Sequence, residues 1–178
     1  MMKKLLAVLL LFTSFTSFSQ MMPLVTVRCT AVHDGDTFEI LWQGVKAKCR
    51  ILNIDAPELI QDYGLQSRDS LVKYLNKKLI AVQQIQGTKK TDLYGRMLVN
   101  VWSPLYYNRL DVLLVSSGTV WYDDVNGNYP PSQIAQDMAQ SQRKGLFKCE
   151  DSGTPALRPR LYRKMKAFEK IRYKQDCW

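Results

Sequence analysis

Between Asp34 and Glu58 the chain places acidic and basic residues where a folded domain would otherwise put apolar side chains. Asp36 leads into a strand over Thr37 to Trp42 and shares side-chain parity with Phe38, Ile40 and Trp42, because successive strand residues face opposite ways. Its carboxylate therefore points to the core side. Burying it ionised and alone costs several kcal/mol, so an arginine or a metal ion should meet it at the strand's open end. Asp36 and Asp55 are hard oxygen donors of the kind calcium takes. Arg50 and Arg96 carry planar guanidinium forks that donate two parallel hydrogen bonds to phosphoryl oxygens and stay charged throughout. Tyr94, beside Arg96, can stack on a nucleotide or hydrogen-bond to it.

The elements that must hold these residues are legible as periodicities. The chain turns back around Gln43-Gly44, and over Val45 to Ile54 apolar Val45, Ala47, Cys49 and Ile51 alternate with Lys46, Lys48, Arg50 and Leu52. Arg50 is thereby predicted to point off the core, as a residue of turnover rather than of folding. Pro57, in Asp55-Ala56-Pro57-Glu58, denies the ladder a donor and forces a turn that can hold Asp55 and Glu58 near Asp36. Leu24 to Val32 reads as a strand before this hairpin, and Ile80 to Gln86 and Met97 to Trp102 as two after it. Tyr63-Gly64 opens a helix whose stripe of Leu65, Leu71, Val72, Leu75 and Leu79 packs on the sheet. A second helix, Arg109 to Ser117, is closed by Gly118. Asp123 to Pro131 reads as a breaker-rich loop, after which Ser132 caps a third helix over Gln133 to Lys144. Periodicity alone thus gives α+β, mainly β: five strands with a helix after the third and about three packed helices.

The chain has 178 residues, enough for one domain with a real core. Residues 1–19 have the layout of a secretory signal peptide: Lys3 and Lys4, an apolar run from Leu5 to Phe12, then small residues up to Ser19. That run is shorter than the ~20 residues a membrane span needs, so a secreted or periplasmic protein is expected, with no membrane partner once the leader is gone. The net charge of +9 becomes +7 without Lys3 and Lys4. Residues 151–178 hold eight Lys or Arg against three acids, so this basic tail, read as a short amphipathic helix beyond a domain of residues 20–150, carries +5 of it. Such a balance suits a polyanionic partner. Of four cysteines, Cys149 and Cys177 bracket the tail and make a plausible disulfide, whereas Cys29 and Cys49 could pair or be small buried apolar residues. One histidine and no Cys-x-x-Cys spacing argue against zinc.

Asp34-Gly35-Asp36-Thr37, Arg50, Ile54 to Glu58 and Asp92-Leu93-Tyr94-Gly95-Arg96 together resemble the staphylococcal nuclease (thermonuclease) family in the order and spacing of five charged residues over about sixty positions. A weaker likeness runs from Leu24 to Cys149. The resemblance implies a five-stranded OB-fold Greek-key barrel, a fold that commonly binds oligonucleotides across one face. It also implies a monomeric calcium-dependent endonuclease with DNA and RNA as substrates. Calcium would be held by Asp36, Asp55 and the Ala56 carbonyl, with Asp34 orienting waters. Glu58 would act as general base while Arg50 and Arg96 stabilise the phosphate, and Tyr94 and Tyr122 would contact substrate. Trp121 falls near where the family has a further aromatic. The sequence departs from the type member at Ala56, a threonine there, at Leu93, a lysine there, and in the acidic pair Asp123-Asp124. The competing reading is a non-catalytic nucleic-acid-binding OB-fold module, against which the full set of charged residues speaks.

Overall fold

The computed structural model describes residues 23–85, 90–103, 108–149 and 155–173. Five strands close into a barrel in the order β1-β2-β3-β6-β5: β1 is Val25–Val32, β2 Thr37–Trp42, β3 Val45–Ile51, β5 Leu79–Gln84 and β6 Met97–Trp102. All neighbours are antiparallel except β3 and β6, which run parallel, and β5 returns to pair with β1. This is the closed mixed barrel with attendant helices expected of an α+β OB-fold. Phe38, Ile40, Cys49, Ile51, Val82, Val99 and Val101 fill its interior. Gln43 and Gly44 both have positive φ, the geometry of a two-residue hairpin turn that matches strand twist, and they join Trp42 to its partner Val45.

Helix α1, Gly64–Leu75, follows the third strand as its stripe predicts and buries Leu71 and Leu75 in the barrel core. Leu65 and Leu79, read into the same stripe, are exposed instead. Helix α2, Leu110–Ser116, adds Leu110, Leu114 and Val115. The predicted long third strand breaks at Leu52-Asn53, where Asn53 takes φ 63°, and resumes as β4, Ile54–Asp55, paired with β7, Trp121–Tyr122.

Helix α3 is Pro130–Ser141, so it begins two residues before the predicted cap and ends earlier. The two prolines do not belong to the preceding loop: proline at the first helical position loses no intrahelical bond and presets φ. Ser132 is therefore not the cap. It lies in the first turn, and its hydroxyl donates to Asp111 Oδ2 at 2.9 Å. Gly118 and Gly145, both with positive φ, cross so closely that a Cβ on Gly118 would lie 2.2 Å from the Lys144 carbonyl oxygen, which locks the end of α2 to the 3-10 turn Gly145–Cys149. Trp121 meets Phe147 edge-on at 4.8 Å in a second small core with Ala139 and Leu146.

The tail is two short helices, α4 Pro159–Lys164 and α5 Ala167–Arg172, rather than one. Its described part is docked. Tyr162 is buried, the Gln61 side-chain amide donates to the Leu157 carbonyl at 2.6 Å, and the Arg158 guanidinium lies 4.8 Å over the Trp121 ring. Cys29 and Cys49 are free and buried, with their thiols pushed up by burial to about 11 and about 12, so the small-apolar reading holds and the pairing does not. Residues 1–19, expected to be a leader, and Cys177 lie outside the described residues, as does the side chain of Cys149. Among the described residues no helix is long and apolar enough to cross a membrane.

Candidate active site

The site forms at the end of the barrel where β2, β3 and β6 run side by side. Thr37 of β2 pairs with Arg50 of β3, and Arg50 with Leu98 of β6, so Arg96 arrives two residues before its partner strand position. Asp34 shapes the entry: its Oδ1 accepts from the backbone N–H of Asp36 at 3.0 Å and of Thr37 at 2.7 Å. Gly35 is required between them, because a Cβ there would sit 2.0 Å from Ser67 Oγ and 2.8 Å from the Ala56 Cβ. Helix α1 and the loop after β4 thus close directly over the Asp-Gly-Asp turn.

Asp36 is buried as its parity predicts, and the cation it requires is Arg50, whose Nη1 lies 2.7 Å from Oδ2. The Ala56 N–H donates to the same oxygen at 3.2 Å, and the Thr37 hydroxyl donates to Oδ1 at 2.8 Å. Burial pushes the Asp36 carboxyl up in pKa, against the pull of the Arg50 guanidinium. Arg50 also donates to the Ile54 carbonyl at 3.0 Å and to Asp55 Oδ1 at 3.3 Å. Off the barrel core it is not off the structure: its side chain is 13 % exposed and braces two buried carboxylates. The expectation that Arg50 bears little on folding is corrected by that geometry.

Arg96 is aimed by its own turn. Asp92 accepts from the backbone N–H of Tyr94 and of Arg96, both at 2.9 Å, and takes Arg96 Nε at 2.7 Å, while Gly95 supplies the positive φ. Nη1 then donates to the Thr37 hydroxyl at 2.7 Å. The Tyr94 ring stands almost free of the surface, 5.5 Å from the Arg96 guanidinium carbon.

These groups line one open cavity of about 510 Å³: Asp34, Asp36, Arg50, Ala56, Glu58, Tyr94 and Arg96 all reach it, and Asp55 lies behind Arg50. Tyr122 does not reach it. Its ring is buried in the core, and its hydroxyl donates to Asn128 at 2.8 Å and accepts from the Tyr129 N–H. Trp121 is likewise buried, under Arg158. The cavity also contains residues that the sequence did not mark: His33, Lys48 and, from α4, Arg163. Arg163 Nη1 lies 2.7 Å from Glu58 Oε1, and its Nη2 is 3.3 Å from each Asp55 oxygen. The signal missed was positional, since one arginine among eight tail cations has no spacing that singles it out.

Residues 48–149 match the family described as staphylococcal nuclease homologue. The chain belongs to the staphylococcal nuclease family. Its relatives include an Escherichia coli O157:H7 protein named an uncharacterized endonuclease, 34 % identical over 72 % of this chain and 80 % of its own length. A Shigella flexneri micrococcal nuclease is 30 % identical over 68 % of this chain and 73 % of its own. A Staphylococcus hyicus thermonuclease is 26 % identical over 68 % and 75 % respectively. The family assignment makes this chain an enzyme, a phosphodiester-hydrolysing endonuclease, and the cavity at the barrel end is where its charged groups converge.

Proposed function

We propose that this nuclease is a secreted, calcium-dependent endonuclease acting on DNA and RNA, with hydrolysis taking place in the cavity bounded by Asp36, Arg50, Glu58 and Arg96. The observation that carries the reading is the convergence on one cavity of two guanidinium forks, a carboxylate within reach of water and a pair of buried carboxylates. Arg50 and Arg96 grip the scissile phosphate and neutralise charge as it builds on the equatorial oxygens, each contributing on the order of 3 kcal/mol, the cost of losing a comparable transition-state donor. Glu58, 38 % exposed, is the general base that takes a proton from the attacking water. The exposed Tyr94 ring stacks on the nucleotide at the cleavage point.

The donor set suits calcium in kind. Asp36 and Asp55 are carboxylates on either side of a single guanidinium, Ala56 adds a backbone carbonyl, and no group of three or more candidate ligand side chains occurs among the described residues. An ion that completes its shell with water and carbonyl oxygen fits such a site better than one demanding a tight octahedron. Asp36, Asp55 and the Ala56 carbonyl would hold it, with Asp34 orienting waters. Bound there, it would supply Lewis-acid polarisation of the phosphate.

Incubation of the purified protein with supercoiled plasmid and with RNA tests the proposal, in calcium, in magnesium and in chelator. Conversion of the plasmid to open and linear forms and degradation of the RNA are expected in calcium, with little of either in magnesium and recovery when calcium is restored. Full activity in excess chelator would overturn the metal assignment. Binding of plasmid without cleavage under every condition would favour the non-catalytic module.

A further inference from the structure

Among the described residues, Arg163 is the one Lys or Arg in the cavity that comes from outside the stretch matched by the family, and it sits on the two acids that catalysis needs unencumbered. Its Nη1 donates to Glu58 Oε1 at 2.7 Å, and its Nη2 lies 3.3 Å from both oxygens of Asp55. It is delivered there by a built anchorage: Tyr162, buried, contacts the Ile60 carbonyl at 3.4 Å, and Gln61 ties the loop after Glu58 to Leu157. Gln61 also accepts from the Glu58 N–H at 3.2 Å, so the base and the tail are held by one side chain. Arg158 adds a hydrogen bond to the Tyr122 carbonyl at 3.3 Å.

With Asp36 and Asp55 taken as the metal's ligands, we propose that Arg163 is an autoinhibitory latch: its guanidinium occupies Asp55 and Glu58 in the resting enzyme and is displaced when calcium binds. A calcium ion takes carboxylate oxygens at about 2.3–2.6 Å and so competes with the guanidinium that already sits on both oxygens of Asp55. Arg50 holds Asp55 Oδ1 as well, so calcium would bring a third positive group to one carboxylate, and the repulsion among them favours the departure of one. Arg50 is fixed by Asp36 and the Ile54 carbonyl, whereas the Arg163 side chain is 45 % exposed and lies on a six-residue helix, so Arg163 is the group that yields. While it stays, the Oε1 of Glu58 faces a guanidinium rather than a water. Ion and latch are therefore negatively coupled, and coupling is reciprocal: calcium loosens α4 to the same extent that the latch weakens calcium.

Calcium alone is the probe. Its affinity is measured by titration calorimetry on the full chain for wild type, Arg163→Gln and Asp36→Asn, and hydrogen exchange of the α4 amides is followed in wild type with and without calcium. Arg163→Gln should bind calcium about five to a hundredfold more tightly, the usual range of such coupling, and calcium should speed exchange in α4. Unchanged or weaker affinity in Arg163→Gln, with Asp36→Asn still losing calcium, would overturn the latch alone. Wild-type affinity in Asp36→Asn would overturn the metal reading, and the latch with it. Should Arg163→Gln fail to fold, exchange in the wild type decides, and unaltered protection of α4 in calcium would sink the latch.

Discussion

Arg50 Nη1 stands 2.7 Å from Asp36 Oδ2 with both side chains nearly excluded from solvent. A residue assigned to phosphate binding is thus also the counter-ion of a buried acid in the barrel end. Arg50→Ala should cost about 3–5 kcal/mol of unfolding free energy, because it leaves the buried Asp36 with only the more distant Arg96, at 3.8 Å, as a cation. Urea unfolding reads this directly, and wild-type stability in the variant would show that Asp36 has another partner.

Arg96 and Glu58 should behave differently, since Arg96 stands 3.8 Å from Asp36, where Arg50 at 2.7 Å is the closer counter-ion, and Glu58 is 38 % exposed. Arg96→Ala and Glu58→Gln are expected to fold normally and to cleave at least ~10²-fold more slowly, the scale for losing a transition-state donor or a general base. Arg96→Lys should not restore the rate, because an ammonium cannot span Asp92 and Thr37 while presenting a planar fork. Near wild-type turnover in Arg96→Ala or Glu58→Gln would remove that residue from the mechanism.

The turn that aims Arg96 gives a pH signature. Burial pushes the Asp92 carboxyl up, but hydrogen bonds from the backbone and side chain of Arg96 outweigh it and hold its pKa below the ordinary 3.8. A folded value below the unfolded one contributes stability that is complete above the unfolded value and is lost as pH falls through the folded one. The stability gap between wild type and Asp92→Asn should therefore be constant near neutrality and narrow on acidification below 3.8. Paired urea titrations check it, and a gap that widens in acid would contradict it.

Gly35 is a packing constraint rather than a turn preference, because Ser67 of α1 presses against it. Gly35→Ala should destabilise by about 1–3 kcal/mol, the cost of forcing a methyl into a filled site. Ser67→Gly should recover part of that loss, since Ala56 remains 2.8 Å from the new Cβ. Thermal melts of the single and double variants measure the coupling, and strictly additive losses would exclude the clash.

Strand parity sufficed to place Asp36 in the interior and the turn at Pro57 to bring Glu58 near it, whereas Asp34, Arg50, Ala56, Tyr94 and Arg96 were grouped with them by the family resemblance, and all of them reach one cavity. Parity and a short turn are local features, which a sequence expresses directly, whereas Arg96 reaches the site through the pairing of β3 with β6. Tertiary context was not legible in the same way. The sequence called for an arginine or a metal ion at Asp36, but nothing near Arg50 announced that it would brace Asp55 as well, because salt bridges are fixed by where strands end. Tyr122 drew attention as an aromatic, but its hydroxyl is spent on Asn128 and Tyr129. The start of α3 was hidden by two prolines that break helices in the middle and favour them at the first turn. Arg163 was out of reach altogether, since its position depends on how the chain returns from Pro155 to Glu58, more than ninety residues apart.

Calcium-titrated cleavage of a defined oligonucleotide, run in parallel on wild type and Asp36→Asn, tests the central claim most directly. Asparagine keeps the volume at position 36, and Arg50 keeps Asp55 as a partner, so the fold should survive the exchange. Wild type should show a saturable rise in rate with calcium and no turnover in chelator, and Asp36→Asn should stay near the chelator baseline at every calcium concentration. Equal calcium activation of the two proteins, or wild-type turnover that persists undiminished in chelator, would contradict the assignment of this cavity as the calcium-dependent centre.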